Sequence, residues 1–191
     1  MDLAVTLSAV GLVSVAELGD KSMFAVIALA SRYGRKGVFV GALSALIIVS
    51  VIGALLGTTA SMLIDDAIIQ PFAALVFLAF GAFILLRKDP TEDEDEVYKV
   101  RSDSGVLASF SLIAVMEMGD KTQIAIFALA ASSGDLAAVV LGASLAFTVL
   151  VAVEVYLGDR MGRRVSAKKM RTVAGLVFLA FGIVYLLQWL L

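Results

Sequence analysis

The chain has 191 residues, 61% of them hydrophobic and 17% charged, with a net charge of −2 and neither cysteine nor histidine. Soluble domains carry about a quarter charged residues, so this composition excludes a soluble domain of useful size and predicts an all-α integral membrane protein. The missing residue types exclude disulfides, thiolate metal sites, haem ligation and imidazole proton relays, and nothing implies a nucleic-acid partner.

Apolar runs predict six transmembrane helices, at about residues 3–30, 38–56, 68–86, 106–131, 136–157 and 173–191. The first begins Met1-Asp2-Leu3, without the basic region of a cleaved signal peptide. The first and fourth runs are too long for one simple crossing. As continuous helices they would extend about 40 Å, against a hydrocarbon core of about 30 Å. Each is therefore expected to be tilted or interrupted, with Gly19 or Gly119 inside it.

The second half repeats the first. Glu17-Leu-Gly-Asp-Lys-Ser22 returns as Glu117-Met-Gly-Asp-Lys-Thr122, and both copies run on to Ala-Leu-Ala. Leu75-Val-Phe-Leu-Ala-Phe-Gly81 returns unchanged as Leu176 to Gly182, and Gly41 and Gly57 correspond to Gly142 and Gly158. Matches in the same order at offsets of 100 or 101 mark a duplicated three-span unit. The predicted organisation is a first three-helix repeat (1–86), an acidic cytoplasmic linker (87–105) and a second repeat (106–191).

Basic residues set the orientation. Apart from Lys21 and Lys121, all 13 Lys and Arg lie after runs one, three and five, and none lies after runs two and four or at either terminus. The three basic loops are predicted to be cytoplasmic and both termini outside. Each repeat has an odd number of spans, so the second enters the membrane upside down. That inverted repeat is the construction of many secondary transporters. The linker contains Glu92-Asp-Glu-Asp-Glu96 without the glycine and spacing of an EF-hand. It reads as a solvated, mobile connector, with a low-affinity cation-sensing loop as the alternative.

The chemistry lies in the duplicated motif. Ionisable residues at a helix centre cost roughly 2.5–3.5 kcal/mol each on insertion scales, so two charged motifs in apolar runs predict a polar site. On a helix, Glu17 and Asp20, or Glu117 and Asp120, would share a face. Ser22, Thr122 and Gln123 add neutral oxygens, and the motif glycine weakens the helix and lets another backbone approach. Inversion brings the two motifs together near the midplane. The predicted metal ligands are Glu17, Asp20, Ser22, Glu117, Asp120, Thr122 and Gln123, with Lys21 and Lys121 balancing charge. Such an oxygen-rich set suits Mn²⁺ or Ca²⁺ better than Zn²⁺ or Cu⁺, and suits Mg²⁺ less because it sheds its waters reluctantly. The purely structural alternative makes Glu17–Lys21 and Glu117–Lys121 local i,i+4 salt bridges, which leaves Asp20 and Asp120 unexplained.

Other features carry less. Glu154, opposite Gly53 in the repeat, reads either as an interfacial residue or as part of an ion exit path. Gly53-x-x-x-Gly57 and Gly158-x-x-x-Gly162 permit close helix packing. Met23, Met116 and Met118 read as packing residues, with a soft contact to Mn²⁺ as the alternative.

The paired Glu-x-Gly-Asp-Lys-Ser/Thr motifs, the six runs and the acidic central loop together resemble the GDT family of cation transporters, over essentially the whole chain. The resemblance implies a multi-pass transporter, not an enzyme, with Glu17, Asp20, Glu117 and Asp120 as ligands beside Ser22 and Thr122. It also implies export of Mn²⁺ or Ca²⁺ in exchange for protons. Its partners would be the lipid bilayer, the transported cation and protons, with no resident cofactor. The short termini suit a prokaryotic plasma-membrane version without an organellar extension. An intramembrane metal-dependent enzyme and a passive cation channel are the rival readings.

The topology is directly testable, because a chain without cysteine gives no labelling background. Single cysteines at positions 35 and 163 are expected to react only from the cytoplasm, and at 66 and 133 only from outside. Reaction of positions 35 and 66 from the same side would overturn the inverted arrangement.

Overall fold

The structure, a computed structural model, describes residues 1–18, 20–86, 104–161 and 167–190. The described residues form eight helices and no strand: α1 (Leu3–Glu17), α2 (Lys21–Tyr33), α3 (Arg35–Leu63), α4 (Asp66–Leu86), α5 (Gly105–Glu117), α6 (Lys121–Ser133), α7 (Leu136–Met161) and α8 (Ala167–Leu190). The two over-long runs are each interrupted at the motif, as α1/α2 and α5/α6. By length and composition, α3 and the Leu136–Tyr156 part of α7 can each cross a membrane, and α1 with α2, bent by 72°, is either a third, broken span or a re-entrant loop. Shorter apolar helices occupy Ala67–Phe83, Gly105–Glu117 and Gly175–Leu190. Most of the acidic linker lies outside the described residues.

The halves pack by exchanging helices. α1 lies against α7 and α5 against α3, while α2 lies against α5 and α7, and α6 against α1 and α3. The exchange holds at the level of atoms. A methyl group on Gly142 would run into the Thr6 carbonyl oxygen and Ala9, and one on Gly41 into the Val106 carbonyl oxygen and the Ser109 hydroxyl. These are corresponding positions of the repeat. α4 pairs with α8 in the same way: a methyl on Gly81 would come 2.8 Å from the Leu179 nitrogen, and one on Gly182 2.9 Å from the Leu78 nitrogen. The corresponding rings of Phe77 and Phe178 meet edge to face at 5.9 Å, both fully buried.

Helix directions follow from contacts at the two ends. A methyl on Gly37 at the start of α3 would lie 3.5 Å from the Val106 nitrogen at the start of α5, and Arg35 lies over the ring of Tyr156 near the end of α7 at 5.9 Å. At the far end of α3, Gly57 packs on Phe127 and Ala130 of α6. α3 and α7 therefore run in opposite directions. The close Gly53/Gly57 face is used within the chain, against α6. At the same far end, Asp135 accepts from the Ala138 N–H at 3.0 Å and the Asp2 N–H at 2.7 Å. These bonds hold its carboxyl below the usual carboxylate range.

The tight glycine contacts make a stability prediction. Gly142→Ala forces a methyl against backbone and is expected to cost about 1–3 kcal/mol. Gly11→Ala has open space around it and should be neutral or stabilise by up to about 1 kcal/mol. Thermal melting of the detergent-solubilised protein checks both, and equal behaviour of the two variants would contradict the packing.

Candidate functional site

The motif interrupts its helix by a tight turn. In the second copy Met118 has φ −68° and ψ 114°, Gly119 has φ +80°, and the Asp120 N–H donates to the Glu117 carbonyl at 3.2 Å. That is a type II turn, whose third position calls for glycine. In the first copy Leu18 has φ −59° and ψ 113°, and the Asp20 N–H donates to the Glu17 carbonyl at 3.0 Å. Two expectations are thereby corrected. Glu17 closes α1 while Asp20 opens α2, so the pair does not share a helical face. Gly119 supplies the positive φ and makes no room for a neighbour, since a methyl there would meet nothing within 4 Å.

Asp20 and Asp120 sit at the N-cap positions of α2 and α6 in extended conformation, yet neither carboxylate caps its own helix. Both remain at the positive end of a helix dipole, where negative charge is favoured. Glu17 and Glu117 are both 3% exposed. Glu17, Asp20 and Glu117 come together, each with a carboxylate oxygen within 4.8 Å of the others. Ser22 donates to one Glu17 oxygen at 2.8 Å and Thr122 donates to the other at 2.6 Å. Both hydroxyls are buried. The cluster therefore draws on both halves of the chain.

The rest of the predicted set is arranged unequally. The Lys121 ammonium reaches across to Asp20 of the other copy and lies 3.3 Å from Asp120. The local Glu117–Lys121 i,i+4 pairing fails because the turn interrupts the helix between them. Lys21, the counterpart of Lys121, is exposed. Gln123 does not offer its amide oxygen to the cluster, because that oxygen accepts the Gly119 N–H at 2.5 Å. Asp120 is more open than Asp20, with 35% against 20% of its side chain exposed, and stands outside the three-carboxylate group. Met23 is buried and Met118 is exposed. Glu154, left between two readings by the sequence, is buried at 8% exposure. It lies within electrostatic reach of Glu17 and Glu117.

Comparison with known proteins places this arrangement. The family model described as divalent cation/proton antiporter GDT1 matches residues 5–92 and 105–190. The chain belongs to the GDT1 family. GDT1-like protein sll0615 of Synechocystis is 34% identical over 91% of the chain and 92% of its own length. GDT1-like protein 5 of Arabidopsis thaliana is 30% identical over 91% of each, and GDT1-like protein 3 of Oryza sativa is 29% identical over 92% of the chain and 71% of its own length. No solved structure matches. A GDT1 member is a membrane transporter and not an enzyme, and its transported species are divalent cations and protons.

Asp20→Asn and Asp120→Asn keep size and hydrogen bonding but remove one charge. Each is expected to reduce Mn²⁺ transport to background in a protein that still inserts and folds, because a divalent ion needs several anionic oxygens to replace its water. Lys21→Gln should be milder. Normal transport by both aspartate variants, measured in proteoliposomes, would overturn the assignment.

Proposed function

We propose that the chain exports a divalent cation from the cytoplasm, Mn²⁺ first and Ca²⁺ second, in exchange for protons. The observation that carries the reading is the meeting of buried Glu17 and Glu117 with half-buried Asp20, acidic groups from both copies of one motif. Ser22, Thr122 and Asp120 complete the ligand set, and Lys21 and Lys121 balance its charge. An all-oxygen set without nitrogen or sulfur suits Mn²⁺ and Ca²⁺. Gln123 enters the set only if its bond to Gly119 opens.

All eight helices then make six spans, in two inverted repeats around a midplane site. The basic loops lie in the cytoplasm and both termini lie outside a prokaryotic plasma membrane. The opposite directions of α3 and α7 and the paired contacts of the halves support the inversion. The unequal use of equivalent groups supports alternating access. The equivalent hydroxyls of Ser22 and Thr122 both donate to Glu17 of the first copy. Exchanging those roles between the halves would open the site to the other side. Neither rival reading accounts for a duplicated site. An enzyme needs one site with an activated water or nucleophile and basic groups for a phosphate, and a channel has no need of two alternating arrangements.

Charge arithmetic sets the coupling. Four carboxylates and two lysines leave the empty site at −2 when all are ionised, a poor state to carry through a low-dielectric barrier. One divalent cation or two protons neutralise it. The neutral forms are the ones that switch, giving near-electroneutral exchange of about two protons per cation. An acid-outside proton gradient alone is therefore expected to drive Mn²⁺ out of the cytoplasm, with little dependence on membrane potential. The check is Mn²⁺ flux in vesicles with the potential clamped and the pH gradient varied. Flux that follows potential and ignores pH would replace the exchanger by a channel or uniporter.

A further inference from the structure

The two sides of the site are chemically unequal. Where α3 packs on α6, a methyl on Gly53 would lie 3.1 Å from the Gln123 side chain, so glycine here leaves room for an amide. The corresponding positions on the other side, where α7 packs on α2, are Glu154 and Met23. One side therefore carries a neutral polar residue, and the other a carboxylate and a thioether at the matching positions.

Glu154 is more than nine-tenths buried as a residue, while its carboxylate oxygens are not among the fully buried side-chain atoms left without a partner. A carboxylate in an apolar helix is costly and is retained where a cation meets it. It also stands near Glu17 and Glu117, within electrostatic reach of both, and so adds to a field that repels further negative charge and draws cations. Two residues beyond it, Tyr156 touches Arg35 at the end of the bundle where α7 finishes and α3 begins. Glu154 thus lies between that end and the central carboxylates.

We propose that Glu154 is a relay ligand for the transported divalent cation, serving only the route that opens at the Arg35–Tyr156 end. The proposal rests on the exporter reading. In that reading this end is cytoplasmic, so the carboxylate helps capture cation from the compartment in which it is dilute, and the release route lacks a counterpart that would hold it back. Electrostatic capture of this kind acts mainly on association.

The experiment measures Mn²⁺ transport separately from each face of oriented proteoliposomes. Glu154→Gln should raise KM for Mn²⁺ roughly tenfold at the Arg35 face, with a much smaller change in kcat and little change at the opposite face. Glu154→Asp should recover part of the loss. An equal rise at both faces would make Glu154 part of the central site, and no change at either face would dismiss it. Both results overturn the proposal. A second readout separates a structural role. Removing the carboxylate as Glu154→Leu should raise the melting temperature of the metal-free protein, whereas a fall would mark a structural residue and overturn the proposal. If the wild type binds Mn²⁺ without transporting it, the exporter reading fails by itself. Stopped-flow association in detergent with a Mn²⁺ indicator then decides: about tenfold slower binding in Glu154→Gln upholds the relay, and equal rates reject it.

Discussion

A carboxylate at membrane depth must find a partner inside the protein, because no water is there to solvate it. Local pairing within one motif is too weak to meet that demand. An i,i+4 ion pair is worth about 0.2–0.5 kcal/mol, against roughly 2.5–3.5 kcal/mol for each charge placed at a helix centre. The helix break at each motif, a type II turn in the second copy, removes the i,i+4 geometry and turns the acidic groups toward the other half of the chain. Lys121 then finds Asp20 across the repeat, and Thr122 finds Glu17. The exchange of helices between halves positions those contacts. Glycines at 41 and 142 let α3 and α7 approach α5 and α1 closely enough for the two turns to meet.

Several close packing contacts follow the repeat, whereas α3 lies against α6 more extensively than α7 against α2, and the bonding inside the site is unequal too. Phe77 meets its counterpart Phe178, and Gly81 and Gly182 each receive the leucine that corresponds to the other's. Ser22 and Thr122, by contrast, both bond to Glu17.

The sequence makes the helical class, the duplication and the interrupted runs legible, because these depend on long apolar periodicity and on identical letters such as Leu75 to Gly81. Within the site it also selects Glu17, Asp20 and Glu117, since charge in an apolar run stands out. It conceals the turn. Apolar residues continue on both sides of Glu17, so the pattern there is that of one helix, and only the backbone angles show that Gly119 is needed for φ +80°. Gln123 is hidden for the same reason: its bond to the Gly119 N–H exists only because the turn exposes that group. Glu154 stands out as a charge in the fifth run, but its burial and its nearness to Glu17 depend on α7 crossing α1 and α2, which no local pattern encodes.

On the proposed exporter reading, the duplication has a coordination argument behind it. A divalent cation of the Ca²⁺ or Mn²⁺ type takes six or more oxygens, and one turn presents two carboxylates and a hydroxyl on neighbouring helix ends. A single copy would leave the ion half dressed in a region that has little water to complete the shell. Two copies supply enough oxygens, and by meeting head-on they place the positive ends of α2 and α6 behind the acidic groups at a common centre. Those dipoles offset part of the mutual repulsion of the carboxylates before any ion arrives. The same geometry explains why the lysine follows the aspartate directly: at the first position of α2 or α6 it lies next to the acidic group of its own copy and within reach of the other's, as Lys121 does with Asp120 and Asp20. A tethered cation at that place stabilises the empty centre without filling it, and it must yield when a divalent ion enters.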